Sequence, residues 1–174
     1  MQLTNGQLIL RPVQLSDAYE LFCLIDASRQ TLRQYLPWVD TIYTPEDESK
    51  SLAKMAPETQ NGQILMLAIT LEEQIIGLID LHDISRTHQK AQIGYFLSDA
   101  FSGHGYMSQA LSLLEEYAFS SLKLHRLEIL FDENNLKSQA VAQRAKYQLE
   151  GRLRDYLYER KQFKTMLLFA KLAH

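Results

Sequence analysis

Three apolar runs crowd into residues 64–97, and helices alone cannot accommodate them. Ile64-Leu65-Met66-Leu67-Ala68-Ile69-Thr70 is continuous and too short for a buried helix, so it reads as a buried strand. Leu71-Glu72-Glu73-Gln74 is turn-sized and polar, and Ile75 to His82 resumes the apolar pattern, so the two runs form a hairpin. Ala91 to Leu97 supplies a third strand close by. Ahead of these lie a short strand at residues 7–13 and two helical patterns. Ala18, Leu21, Phe22, Ile25 and Leu32 recur at helical spacing to about residue 34, with Ser16 as N-cap and Asp17 in the first turn. Pro37-Trp38 breaks that pattern, and Thr44-Pro45-Glu46-Asp47 opens a second helix that Gly62 caps. After residue 97 come a glycine loop, a long amphipathic helix (Ala110 to Leu122), a strand (Arg126 to Phe131) and a helix (Asn135 to Tyr147). Residues 149–157 and 163–172 then form a closing hairpin. An antiparallel hairpin followed by two β-α-β units predicts a mixed α/β sheet with helices on both faces.

Length and composition narrow the function classes. At 174 residues the chain suits one domain spanning 1–174, long enough to bury a core unaided. The net charge of −3 argues against nucleic acid as a partner, which needs a basic surface. No apolar run reaches the ~20 residues a bilayer requires, and Met1 to Gly6 does not resemble a signal peptide. Cys23 is the only cysteine, so the chain has no internal disulfide; its apolar neighbours Leu21, Phe22, Leu24 and Ile25 predict a packed thiol. A cytoplasmic setting follows. His82, His88, His104, His125 and His174 contain no His-x-x-x-His pair, so no metal site is expected.

The segment with chemical content is Phe101-Ser102-Gly103-His104-Gly105-Tyr106-Met107-Ser108, between a strand and a helix. Glycines let a backbone take positive φ and turn its N–H groups to one point, and a helix start adds orphan amides and a positive dipole end. Together they suit a pyrophosphate. The third glycine of a dinucleotide fingerprint is missing, and so is the Gly-Lys of a P-loop. Gly-x-Gly alone is equally a turn without a ligand.

The loop resembles the pyrophosphate motif of the GNAT acetyltransferases, Gln/Arg-x-x-Gly-x-Gly/Ala. Ile93-Gly94-Tyr95-Phe96-Leu97 resembles the strand on which that family pairs pantetheine, and Asn135-Leu136-Lys137-Ser138 resembles the Asn-x-x-Ser of its ribosomal-protein N-terminal (Rim-type) branch. Leu149-Glu150-Gly151 and Leu10-Arg11-Pro12 match further segments of that branch, so the likeness spans almost the whole chain. Ser102, Met107 and Lys146-Tyr147 depart from the usual residues; a non-glycine cap costs about 1 kcal/mol, so Lys146 is expected to end its helix differently.

The resemblance implies a mostly antiparallel sheet with a splayed parallel pair, and a soluble monomer or homodimer that moves an acetyl group from acetyl-CoA to an amine. Amides of Ser102, Gly103, His104, Gly105, Tyr106, Met107 and Ser108 would hold the pyrophosphate. Phe96 and Leu97 would meet the pantetheine and polarise the thioester carbonyl, with Asn135 and Lys137 also on the cofactor. Ser138 would protonate the departing thiolate. Two carboxylates usual in the branch are replaced by Gln92 and Leu157, leaving Asp80, His82, Glu128 and Glu159 as candidate bases. A strong base is dispensable for an α-amine, whose pKa of about 7.7–8.0 leaves about a tenth free at neutral pH, against about 10.4 for lysine. A protein N-terminus is therefore the expected acceptor, with a polyamine, amino sugar or drug as the alternative, or a non-catalytic acyl-CoA sensor. Of the basic residues Arg152, Arg154, Arg160, Lys161 and Lys164, one or two would meet the ribose phosphate of CoA or an acidic acceptor. Trp38 and Tyr43 lie where the family shapes its acceptor pocket.

Overall fold

The computed structural model describes residues 2–173. Its strands are β1 (Leu3–Thr4), β2 (Leu8–Pro12), β3 (Leu65–Leu71), β4 (Gln74–Ser85), β5 (Lys90–Leu97), β6 (Arg126–Asp132), β7 (Gln148–Glu159) and β8 (Gln162–Leu172). Its helices are α1 (Ala18–Ala27), α2 (Arg29–Leu32), α3 (Pro45–Gln60), α4 (Tyr106–Ser120) and α5 (Leu136–Arg144). One eight-stranded sheet runs in the order β1-β2-β3-β4-β5-β6-β8-β7. Neighbouring strands are antiparallel except β5 and β6. Because β8 lies antiparallel to both β6 and β7, those two strands point the same way, and α4 and α5 each bridge a β-α-β crossover.

Local chemistry explains the elements. Glu72 and Glu73 both take positive φ (48° and 70°), the two-residue turn that matches strand twist, and Arg160-Lys161 (47° and 63°) repeats it between β7 and β8. Thr44 caps α3 by accepting the Asp47 N–H at 3.2 Å, while Asp47 Oδ2 accepts the Thr44 N–H at 3.0 Å. At the other end Gly62 adopts φ +70°, with Gly62 N–H to Thr59 O (3.1 Å) and Gln63 N–H to Glu58 O (2.9 Å), a Schellman ending.

The sheet buries apolar residues on both faces. Leu8, Leu67, Ile79, Ile93, Leu127 and Ile129 pack with Ala110, Leu111 and Leu114 of α4 and Val141 of α5. On the opposite face Ala68, Leu78 and Phe96 pack with Leu21 and Ile25 of α1 and Leu32 of α2.

Several local expectations are corrected. Ser16 is exposed; Asp17, buried, closes the helix start by accepting the Gln14 N–H at 2.8 Å and both guanidinium nitrogens of Arg11. The first helix is interrupted at Ser28, and residues Pro37–Thr41 form a 3-10 turn. Cys23 is exposed, not packed: the buried stripe of α1 is Ala18, Leu21, Leu24 and Ile25, and position 23 falls on the outer side. Lys146 does adopt the left-handed conformation (φ +64°), so α5 ends as a glycine-capped helix does, with a lysine bearing the strain. No helix among the described residues is long and apolar enough to cross a membrane.

Candidate active site

The site begins where the parallel pair comes apart. β5 pairs β6 only through Lys90↔Arg126, Ala91↔Leu127 and Gln92↔Glu128. From Ile93 onward β5 keeps only its β4 neighbour. The Ser98 N–H donates to Ile76 O at 2.9 Å, which fixes which groups face β4. By alternation, the N–H and C=O of Tyr95 and Leu97 face the other way, into the opening. The end of β5 is pinned from the other side of the sheet: the buried Ser28 hydroxyl donates to Ser98 Oγ (3.3 Å) and accepts the Asp99 N–H (3.0 Å).

The opening is a cleft of about 580 Å³. The glycine loop forms one end. Gly103 and Gly105 hold φ of +85° and +81°, and a Cβ at either would meet nothing within 4 Å, so each is glycine for its backbone angle and leaves open space. Gly105 is the N-cap of α4 and supplies no side chain. The first helical bond runs from the Gln109 N–H to Gly105 O at 3.1 Å, so the amides of Tyr106, Met107 and Ser108 precede the ladder. Together with the dipole of a fifteen-residue helix, this cradle fits a diphosphate.

The other wall is α5 and the turn before it. Asn135 Oδ1 accepts the Ser138 N–H at 3.1 Å, capping α5 and leaving its amide nitrogen to donate elsewhere. Tyr95 crosses from β5, and its hydroxyl donates to Ser138 O at 3.3 Å; burial pushes that phenol up to about 12, so it stays protonated. Tyr35 OH donates to Asn134 O at 3.2 Å, joining the first helices to the β6–α5 turn. The Lys137 ammonium stands 3.9 Å from the Asp99 carboxylate.

Phe96, Leu97, Ser102, Gly103, Gly105, Tyr106, Met107, Ser108, Asn135, Lys137 and Ser138 all line this cleft, so the positions singled out by sequence converge in space. His104 is the exception. It is exposed and stacks on Tyr106 at 5.7 Å, outside the lining. Tyr35, Tyr95 and Arg144 also line the cleft and were not given roles from sequence. Lys137 and Arg144 stand seven residues apart, two helical turns, which is the signal that places both on one face.

Asp80, His82, Glu128 and Glu159 do not line the cleft. His82 Nδ1 lies 2.6 Å from Asp80 Oδ1; burial pulls the imidazole pKa down, but the Asp80 hydrogen bond and charge outweigh it and the net shift is upward. Glu128 is buried against Arg126 (2.6 Å) and Lys90 (3.7 Å). Gln92 and Leu157 also lie outside the lining, as does Cys23. Of the C-terminal cations, Arg152 pairs with Glu133 (2.7 Å), Arg160 with Asp40 (2.6 Å) and Lys164 with Asp132 (3.4 Å). Trp38 packs on Phe96 with ring centroids 5.7 Å apart, and Tyr43 lies under the Arg29 guanidinium at 5.2 Å. His174 lies outside the described residues.

An amide cradle at a helix start, opening onto a strand edge that can pair an extended amide-bearing arm, suits a ligand that carries both a diphosphate and a chain of amides. Residues 7–148 match the acetyltransferase (GNAT) domain model, and the chain belongs to that family: it is an N-acetyltransferase that uses acetyl-CoA. It is similar to the probable N-acetyltransferase YjcK of Bacillus subtilis, 32% identical over 86% of this chain and 84% of that protein. It is likewise similar to the ribosomal-protein-serine acetyltransferase of Escherichia coli, 30% identical over 97% of this chain and 94% of that one. Among solved structures, RimL, a ribosomal L7/L12 alpha-N-protein acetyltransferase in complex with coenzyme A, superposes with a TM-score of 0.94 at 25% identity, covering 99% of this chain and 98% of that one.

Proposed function

We propose that this enzyme acetylates the α-amine of a protein N-terminus, of the ribosomal-protein type, by direct transfer from acetyl-CoA in a ternary complex. The observation that carries this reading is the absence, among the described residues, of a disengaged carboxylate deep in the cleft. Asp132 is buried, and its Oδ1 already accepts the Asn134 N–H and amide nitrogen (2.8 and 2.9 Å) while Oδ2 faces Lys164. Asp99, the other lining carboxylate, faces Lys137. Such a cleft suits an amine that arrives partly deprotonated, and an α-amine does so at neutral pH where a lysine does not. The naming of the Escherichia coli relative and of RimL supports the same acceptor class.

In this reading the amides of Gly103 to Ser108 hold the diphosphate, and the β5 edge at Tyr95 and Leu97 pairs the pantetheine amides. The Leu97 N–H polarises the thioester carbonyl. The amine nitrogen attacks the carbonyl carbon, its proton passes to water, the C–S bond breaks as Ser138 Oγ–H gives a proton to the leaving thiolate, and water returns a proton to Ser138 Oγ. Cys23, exposed on α1 and outside the cleft lining, offers no covalent relay, which supports single-step transfer.

The test is intact-mass analysis of a panel offered with acetyl-CoA: peptides with free N-termini, the same peptides with blocked N-termini and a lysine, spermidine, and an aminoglycoside. The reading predicts a 42 Da gain, about the mass of an acetyl group, on free N-termini alone. Turnover of spermidine or the aminoglycoside without N-terminal turnover would replace it with the small-amine assignment.

A further inference from the structure

The diphosphate cradle accounts for only part of the charge on acetyl-CoA. The cosubstrate also carries a ribose 3′-phosphate, one sugar beyond the diphosphate, and a compact dianion of that kind calls for a guanidinium or ammonium. Of the five C-terminal cations that sequence alone offered for this task, three are engaged elsewhere, Arg152 with Glu133, Arg160 with Asp40 and Lys164 with Asp132, and the other two, Arg154 and Lys161, lie outside the cleft lining.

We propose that Arg144 binds the 3′-phosphate of coenzyme A. Arg144 closes α5, lines the cleft, and is exposed. Its Nε lies 3.5 Å from Ser108 Oγ, so the guanidinium sits beside the first turn of α4, at the rim of the amide cradle. Among the described residues no carboxylate lies within 4 Å of it, whereas Lys137, the other cation lining the cleft, faces Asp99. The side chain is therefore held by one long hydrogen bond to a hydroxyl, weak enough to exchange for a phosphate. Its position at the C-terminal end of α5 is opposite to the end where Asn135 and Ser138 line the cleft, so the adenosine end and the thioester end of the ligand would lie at opposite ends of the helix. The role is specificity: it separates coenzyme A from its 3′-dephospho form and from free phosphopantetheine.

This inference rests on the cleft holding acetyl-CoA, and the experiment separates the two claims. Affinities of CoA and 3′-dephospho-CoA are measured by calorimetry for the wild type, Arg144→Gln and Gly105→Val. The wild type binds CoA about tenfold more tightly than dephospho-CoA, the worth of one charge-assisted contact at an exposed site. Arg144→Gln binds both ligands as the wild type binds dephospho-CoA, and that unchanged second affinity shows the fold is intact. An equal loss for both ligands would move the guanidinium to the diphosphate and overturn the proposal, and a gap that survives in Arg144→Gln, or is missing from the wild type, overturns it too. Gly105→Val weakens both ligands alike; if it weakens neither, the cleft assignment itself has failed and not the arginine's role alone.

Discussion

Gly105→Val separates binding from folding, and the two costs can be worked out in advance. At φ +81° a side chain costs about 1–2 kcal/mol, and a β-branched one sits toward the upper end. No atom lies within 4 Å of the new Cβ, so no collision adds to that strain. For a chain of this size each kcal/mol is worth about 2–4 °C, so the melting temperature falls by roughly 2–8 °C and the protein stays folded at 25 °C. The affinity loss is much larger. Relaxing φ toward negative values turns the neighbouring amides away from their common point. Losing two N–H bonds to charged oxygens removes about 3–6 kcal/mol, at least a hundredfold in Kd. Calorimetric titration with CoA and a thermal melt on the same sample read both numbers. Gly77→Ala is a contrasting variant: its Cβ would press on the Phe96 carbonyl oxygen and stand 3.0 Å from Leu97 Cα, so overpacking costs about 1–3 kcal/mol and displaces the Leu97 edge, and CoA affinity falls together with stability. Unchanged CoA affinity in Gly105→Val, with the small stability loss present, would refute the reasoning.

Other expectations follow from single contacts. Ser138→Ala lowers kcat about tenfold or more with CoA affinity unchanged, because only its hydroxyl serves the leaving thiolate; an unaltered kcat removes it from the mechanism. Glu48 is buried on α3, and desolvation raises its carboxyl to about 7. A raised acid contributes stability that is full below the unfolded pKa and is lost as pH climbs through the folded one, so stability declines between about pH 4.5 and 7. Glu48→Gln flattens that decline, and denaturation midpoints across this window that match the wild type at every pH would contradict it. His82 titrates above its ordinary value, and in Asp80→Asn, with the pairing carboxylate gone and burial, Asp83 and Gln92 left, its midpoint moves down; NMR of the imidazole proton reads the change, and an unmoved midpoint sinks it. Lys171 contacts the buried Glu115 at 2.6 Å, so Lys171→Met leaves that carboxylate alone and costs about 3 kcal/mol in urea denaturation; a midpoint within error of the wild type would show the pair is dispensable.

Much of this architecture was legible in the sequence because local rules and tertiary demands agree. The continuous run at 64–70, the pattern resumed at 75–82 after a polar turn and the alternation at 126–131 are, within a few residues at each end, the β3, β4 and β6 observed. The glycine loop was legible because two residues without Cβ stand immediately before a helical pattern, and the structure gives both positive φ. What escaped depends on which way a side chain points or which group beats its neighbour. Ser16 is a good capping residue, yet it caps nothing; the turn is held instead by the Asp17 carboxylate, which accepts the Gln14 N–H and the Arg11 guanidinium from β2. Cys23 sits among apolar neighbours in sequence, but the helix buries Leu21, Leu24 and Ile25 and leaves it outside. His104 is inside the loop's sequence and outside its concave side, since positive φ at both flanking glycines reverses the chain there. Lys146 accepts a left-handed angle that its type disfavours, because Tyr147 beyond it is buried and its N–H bonds Ala142 O at 3.0 Å. The seven-residue spacing puts Arg144 on the face of Lys137, but its place beside Ser108 shows only once α5 is laid against the N-terminus of α4, a contact between segments 36 residues apart.

The central claim is that the gap between β5 and β6 is where the thioester carrier lies. A crystal structure of the enzyme soaked with coenzyme A tests it at once. The account predicts diphosphate density against the amides of Gly103 to Ser108 and an extended arm along Tyr95 and Leu97 with its sulfur toward Ser138. Density on any other surface, with that gap empty, contradicts it.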